Sequence, residues 1–426
     1  MIIYVVKRGD SLFDIAQKFQ IPMQQIISVN ELDQPGNLVI GQALVIPAVQ
    51  YTVQPGESLF VIGQKFDIPY QRIAEVNQFP VNTQLQAGQI IRIPQEPKVT
   101  KQFNAYVEPL GGQVSPTLEQ AARSKAQYLT YLAPFSYRVN RDGTLIAPPL
   151  NQFAQIASNN KAVLMMVITN LEEGAFSAEL GRLIVTDEAF QDKLLANIVE
   201  TAKNIGFRDI HFDLEFLPQE VRENYNNFLR KAKNRLSQAG LLLSTALAPK
   251  TSGEQVGAWY TAHDYAAHGE IADFVVLMTY EWGYSGGPPM AVSPIGPVRE
   301  VVEYAASVMP AEKIFLGQNL YGYDWTLPYE PGGEYAKALS PKAAVQLARE
   351  QNVEIQYDEE AQAPFFFYQD AEGNRHEVWF EDARSIEAKF DLVKELNLRG
   401  VSYWKLGLAF PQNWALLNNR FNVEKL

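Results

Sequence analysis

The hydrophobic and polar positions divide the chain into two regimes. From Tyr4 to Pro47, and again from Tyr51 to Pro94, a short alternating stretch precedes apolar positions at helical spacing and then a second short β run. Ile15, Phe19 and Ile26 mark the helical positions of the first stretch, and Ile62, Phe66 and Ile73 those of the second. Ile21-Pro22 and Ile68-Pro69 break each helix and permit another, ending near Asn30 and Asn77. A Gly-Gln turn then leads into a run closing on Ile-Pro, so the predicted unit is β-α-α-β. Shifted by 47 residues, the two stretches align without a gap and 21 of 44 pairs are identical. That marks an internal duplication. Asp10-Ser11 and Glu57-Ser58 are expected to cap the first helix of each copy.

From Lys98 onward, apolar β-like runs alternate with amphipathic helical stretches. Predicted strands are Phe103–Glu108, Gln127–Leu132, Ala162–Ile168, Asp209–Leu214, Leu241–Leu247, Asp273–Thr279, Lys313–Gly317 and Gly400–Trp404. Helical patterns such as Glu188–Ile205, Gln219–Gln238 and Val298–Val308 lie between them. Eight β–α alternations imply an α/β fold whose parallel sheet closes as a (β/α)8 TIM barrel. The stretch from about residue 324 to 383 is too long for a barrel loop. With a helix at Pro341–Gln351 and β runs at Phe365–Tyr368 and Glu377–Phe380, it reads as a small inserted α+β subdomain. The expected organisation is therefore 1–48, 49–96 and 97–426. The linker near Gln95–Lys101 is short, with Pro94 and Pro97 nearby, which keeps the small units close to the large one.

Composition narrows the function. The formal charge of −12 disfavours a polyanion such as nucleic acid as partner. With no cysteine and four histidines, thiolate chemistry is excluded and a multi-histidine metal centre is not expected; no metal or cofactor is called for. All six tryptophans follow residue 250, which locates a ligand surface in the large unit. Met1–Asp10 lacks the features of a secretory signal, and no run of about 18 apolar residues is long enough to span a membrane.

The candidate chemistry lies on the fourth predicted strand, Asp209-Ile210-His211-Phe212-Asp213-Leu214-Glu215. With period two, His211, Asp213 and Glu215 share one face and Ile210, Phe212 and Leu214 the other. The apolar face must meet the surrounding helices, which sends three ionisable groups inward at the barrel's C-terminal end. Burying them without a task would cost several kcal/mol each, on the order of 2–7.

The small repeats resemble LysM modules, through the Gly-acidic-Ser-Leu opening, the Asn at the second helix end and the Ile-Pro ending. That resemblance implies binding of N-acetylglucosamine polymers in a groove between the first βα loop and the second helix–strand loop, at Gly9, Asp10, Ser11, Leu12 and Asn30, and at Gly56, Glu57, Ser58, Leu59 and Asn77. The fourth strand resembles the Asp-x-x-Asp-x-Asp-x-Glu signature of glycoside hydrolase family 18, with Arg208 and His211 in place of the first two aspartates. Met278-Thr279-Tyr280-Glu281 is similar to that family's Met-x-Tyr-Asp, Ala248-Pro249 follows the fifth strand, and Trp404 ends the eighth. Val167-Ile168-Thr169-Asn170 replaces its Ser-x-Gly-Gly.

The resemblance implies substrate-assisted hydrolysis with retention. Glu215 is the acid/base, Asp213 and Tyr280 handle the substrate's acetamido group, and His211 is expected to pair with Asp213 and hold it ionised. Trp404 is the sugar floor, with Glu281, Asn170, Tyr137 and Asn319 as further sugar contacts. Tandem LysM modules on such a domain resemble the spore cortex-lytic N-acetylglucosaminidases of endospore-forming bacteria. A peptidoglycan-cleaving monomer, made in the mother cell without a signal peptide and laid into the spore coat or cortex, is the expectation. A chitinase and a catalytically inactive sugar-binding barrel are the alternatives.

Overall fold

The computed structural model describes residues 1–66 and 68–426. Each N-terminal unit is a two-stranded antiparallel sheet with two helices. The first pairs Ile2–Val5 with Ala43–Ile46 around helices Leu12–Lys18 and Met23–Asn30. The second pairs Gln50–Thr52 with Ile90–Arg92 around Leu59–Phe66 and Tyr70–Val76.

The acidic residue of each opening motif does not cap its helix. Asp10 Oδ2 accepts from the Tyr4 hydroxyl and the Lys7 N–H, both at 2.8 Å, and ties the loop to the strand. Glu57 does the same with Tyr51 at 2.9 Å and the Gln54 N–H at 2.8 Å, and also pairs with Lys65. The serines accept from the third residue on, Ser11 from Asp14 N–H at 3.1 Å and Ser58 from Val61 N–H at 3.3 Å. Leu12 and Leu59 are buried and pack in the modules' core.

Asn30 and Asn77 also turn out to be structural. The Asn30 amide donates to Ile26 O and Val45 O and accepts from Val45 N–H, all within 2.9 Å. Asn77 makes the matching bonds to Ile73 and Arg92. Both amides are spent on backbone, joining the second helix to the second strand. The copies share one apolar core, in which the buried Phe19 lies 5.5 Å from Tyr51 and 5.8 Å from Phe66.

The large unit closes as an eight-stranded parallel barrel. Its strands are Val99–Val107, Tyr131–Pro134, Val163–Thr169, Asp209–Asp213, Leu242–Leu247, Phe274–Leu277, Ile314–Asn319 and Gly400–Trp404, the last pairing back onto the first. The second strand starts later than the pattern suggests, because Ala126–Tyr128 form a 3-10 turn. Tyr131, Met165, Val167, Phe274 and Phe315 fill the barrel interior, while a larger apolar layer joins strands to helices outside.

Between the seventh and eighth strands rises a five-stranded antiparallel sheet, ordered Lys337–Leu339, Gly322–Leu327, Arg375–Trp379, Ala363–Gln369 and Gln356–Asp358. Helix Pro341–Glu350 packs on it through Ala344 and Ala348. Its first strand begins at Gly322, where a Cβ would sit 2.2 Å from the Trp379 carbonyl oxygen. Among the described residues, no helix is long and apolar enough to cross a membrane.

The first unit is fastened to the barrel. Ala43 and Val45 join the barrel's outer core, and Gln412 Nε2 donates to Ala43 O at 2.9 Å. Because Asn30 is buried and Asn77 only partly so, Asn30→Ala is expected to cost about 1–3 kcal/mol of stability and Asn77→Ala less. Equilibrium denaturation of the two variants checks the order, and equal losses would contradict it.

Candidate active site

The fourth barrel strand places its alternate side chains as the pattern implies. His211 registers with Val167 and Ser244, and Asp213 with Thr169. Beyond Asp213 the backbone leaves the sheet and is held on both sides. Asn170 accepts from Glu215 N–H at 3.0 Å and donates to Glu215 O and Ser177 O, each at 2.9 Å. On the other side Ala248 N–H donates to His263 Nδ1 at 3.0 Å, so His263 Nε2–H donates to Leu214 O at 3.0 Å. Burial pushes His263 down to about 4, keeping it neutral in this bridge.

Glu215 and Asp213 project into a cleft of about 460 Å3, together with Tyr106, Tyr280, Glu281, Trp259 and Trp404. Burial pushes the Glu215 carboxyl well above the usual carboxylate range and the neighbouring Asp213 charge adds to it; the Trp259 indole N–H, which donates to Glu215 Oε2, opposes. Burial raises Asp213 as well. Two close carboxyls in such a setting titrate as a pair and hold one proton between them across an intermediate pH range. Among the described residues, Asp213 Oδ1 is buried without a hydrogen-bond partner, in a side chain that lines the cleft. The Tyr280 hydroxyl is kept protonated by burial, then by Tyr106 and Asp213 nearby.

Trp404 is braced edge-on by Phe135 at 4.8 Å and Tyr106 at 5.4 Å, leaving an indole surface on the cleft. Glu281 adopts a left-handed backbone with φ 69° and accepts from the Tyr321 and Tyr323 hydroxyls, the latter at 3.0 Å. Tyr323 belongs to the inserted sheet, so the insertion braces the wall residue Glu281. At the rim Lys405 pairs with Glu108.

Several expected contacts lie elsewhere. His211 is fully buried and does not pair with Asp213. Its Nε2 meets the Tyr106 hydroxyl at 2.9 Å and its Nδ1 meets Ser244 Oγ at 2.8 Å, while Ser244 donates to Asp209 Oδ2 at 2.7 Å. Since Ser244 gives its proton to Asp209, the imidazole donates from Nδ1 and accepts from Tyr106 at Nε2. Burial lowers His211 to about 3, so it is neutral and supplies no charge to Asp213. Asn170 is spent on the Glu215 backbone. Asn319 is buried, donating to Tyr321 O and accepting from Gln318. Tyr137 lies in the outer core against Phe207.

The residues that the pattern did not single out are Tyr106, Trp259, His263 and the Tyr321/Tyr323 pair. Alternation in Tyr321-Gly322-Tyr323-Asp324-Trp325 was a readable strand signal. Trp259 and His263 stand in an irregular segment with no period to mark them. Among the described residues, no cluster of three or more His, Asp or Glu side chains is placed to hold a metal ion.

The family model for glycosyl hydrolases family 18 matches residues 106–409. The chain belongs to glycosyl hydrolase family 18. LysM domain models match residues 4–47 and 51–94. The chain is 64% identical to the cortical fragment-lytic enzyme of Bacillus subtilis (strain 168), over 100% of this chain and 99% of that one. Among solved structures, the spore cortex-lytic enzyme SleL of Bacillus megaterium QM B1551 superposes with a TM-score of 0.90 at 56% identity, covering 100% and 99% of the two chains. SleL of Bacillus cereus superposes with a TM-score of 0.91 at 49% identity, covering 99% and 98%.

For a family 18 hydrolase, the electrostatics of Glu215 yield a directional test. Trp259→Phe removes the donor that favours ionised Glu215, so the group's pKa rises and the alkaline limb of kcat/KM moves to higher pH. A pH–rate profile reads this directly; an unmoved or lowered alkaline limb would count against Glu215 as the proton donor.

Proposed function

We propose that the chain is an N-acetylglucosaminidase that cleaves cortex peptidoglycan fragments after N-acetylglucosamine, with retention, by substrate-assisted catalysis. The observation that carries the reading is the buried Glu215–Asp213 pair facing one cleft with Tyr280 and Trp404, in a family 18 chain whose full-length relatives bear the cortical fragment-lytic name.

In this reading Glu215, protonated, gives its proton to the glycosidic oxygen as the bond to the anomeric carbon breaks. The substrate's own 2-acetamido oxygen attacks that carbon from the opposite face and forms an oxazolinium ring. Asp213, ionised, accepts from the acetamido N–H and offsets the positive charge. The Tyr280 hydroxyl donates to the acetamido oxygen and aims it. Glu215, now a carboxylate, takes a proton from water, which opens the ring from the face the leaving group vacated. Trp404 packs under the apolar face of the sugar, and the free lone pairs of Glu281 accept from a ring hydroxyl. The low-polarity cleft makes each interaction stronger than in water.

The LysM region, residues 1–96, holds the glycan while residues 97–426 cut it. In this reading the chain works as a monomer, and its place of work is the spore. Mass spectrometry of cortex and vegetative peptidoglycan fragments after incubation is the test. New reducing-end N-acetylglucosamine from the parent chain is expected, with Glu215→Gln slower by roughly 10²–10⁴-fold. Turnover of chitin oligomers with no product from either peptidoglycan would instead favour a chitinase. Absence of product from all of them, with glycan still bound, would leave a sugar-binding barrel.

A further inference from the structure

The two small units are built alike but placed differently. In both, the loop after the first strand pairs with the loop before the second. Gly41 N–H donates to Val6 O at 2.8 Å and Val6 N–H to Gln42 O at 2.9 Å; in the second copy Gly88 N–H donates to Val53 O at 2.8 Å and Val53 N–H to Gln89 O at 2.9 Å. These loop pairs form the groove to which glycan binding is assigned.

In the first copy a segment of the inserted subdomain occupies that groove. Ile355 N–H donates to Ile40 O at 2.9 Å. A Cβ on Gly41 would stand 1.8 Å from the Ile355 carbonyl oxygen, so the two backbones are in direct contact. Glu354 reaches across to Arg8 on the opposite loop at 2.5 Å. Val39 is buried in the same apolar cluster as Ile355 and Phe366. In the second copy, Ala87 and Gly88, at the positions of Ile40 and Gly41, are exposed. A Cβ on Gly88 would meet nothing within 4 Å among the described residues, while Gly9 and Gly56 on the other loop are open in both copies.

The sequences of the copies diverge accordingly. Val39, Ala43 and Val45, which face the large unit, are matched in the second copy by Gln86, Ile90 and Arg92, all exposed. Burial of the first set fastens the occupied groove shut. A segment held by the same folded chain competes intramolecularly, and here its release would also require unpacking Val39 from the subdomain's core. A glycan binding a surface groove does not meet that demand.

We propose that glycan capture outside the cleft runs through the second unit alone, by its loops 53–58 and 78–90, and that the first unit is a bracket whose groove Glu354 and Ile355 keep filled. The partner is an N-acetylglucosamine polymer. The inference rests on the reading of these units as glycan binders, and the test separates the two.

The experiment is co-sedimentation with insoluble peptidoglycan in a Glu215→Gln background, which leaves the glycan intact. Ala87→Trp, and independently Pro55→Trp on the opposite exposed loop, obstruct the second groove, and Arg8→Trp stands at the position matching Pro55 in the first. Either obstruction in the second unit is expected to weaken sedimentation at least about tenfold, while Arg8→Trp stays within about twofold of the parent. Circular dichroism spectra and thermal melting transitions matching the parent show that both second-unit variants fold. Equal loss with Arg8→Trp overturns the asymmetry and leaves the glycan reading standing. Full sedimentation of all three, abolished by Trp404→Ala, assigns binding to the cleft and overturns the glycan reading and this inference together.

Discussion

Two carboxyl groups held close together out of water repel each other and lose hydration, so the backbone bearing them must be fixed from outside. Here that task falls to two neutral, buried side chains. Asn170 spends its amide on both sides of the Glu215 peptide, and His263 bridges Leu214 O to the Ala248 N–H just past the next strand. Neither carries charge, so neither relieves the pair: Glu215 stays raised and able to hold a proton. The rest of the site depends on this arrangement, because a Glu215 free to swing into water would return to ordinary carboxylate behaviour.

Beneath the pair, the barrel replaces one kind of polar support with another. Asp209, Ser244, His211 and Tyr106 form a continuous buried chain from the barrel's fourth and fifth strands to the first. Asp209, pushed by burial up to about 7, anchors its lower end. The polarity of the bonds follows from Ser244 donating downward, and it leaves the Tyr106 hydroxyl donating to His211 rather than into the cleft. Tyr106 in turn braces Trp404. The histidine at a family-aspartate position thus orients an aromatic wall through hydrogen bonds, without an ionic contact to Asp213.

Duplication at the N-terminus shows how one local fold serves two placements. The strand–helix ties made by Asn30 and Asn77 are the same, and so are the loop pairings. What differs is the outward face of the second strand: small and apolar where it meets the barrel helices, exposed in the other copy. Short β-α-α-β units bury little apolar surface alone. Sharing a core around Phe19, Tyr51 and Phe66 and anchoring one copy on the barrel stabilises both.

Periodic features were legible in the chain itself. The repeat, the eight alternations and the inward set His211, Asp213 and Glu215 all follow from the 3.6- and 2-residue periods, which are local. The family signature attached chemistry to Glu215, Asp213, Tyr280 and Trp404, and these four share one cleft. Partners that depend on distant segments were not legible. Asn170 and Asn30 carry the amide groups expected of sugar ligands, yet each is consumed by backbone that lies 45 or 15 residues away. His211 has the right face to meet Asp213, but Tyr106, 105 residues earlier, takes its nitrogen first. Trp259 reaches Glu215 from an irregular loop, and Ile355 reaches Ile40 across 315 residues of chain. A period tells which way a side chain points, because backbone geometry sets it within a few residues. Which group it meets is decided by the closed barrel and the docked module, where the nearest hydrogen-bond partner is set by tertiary packing.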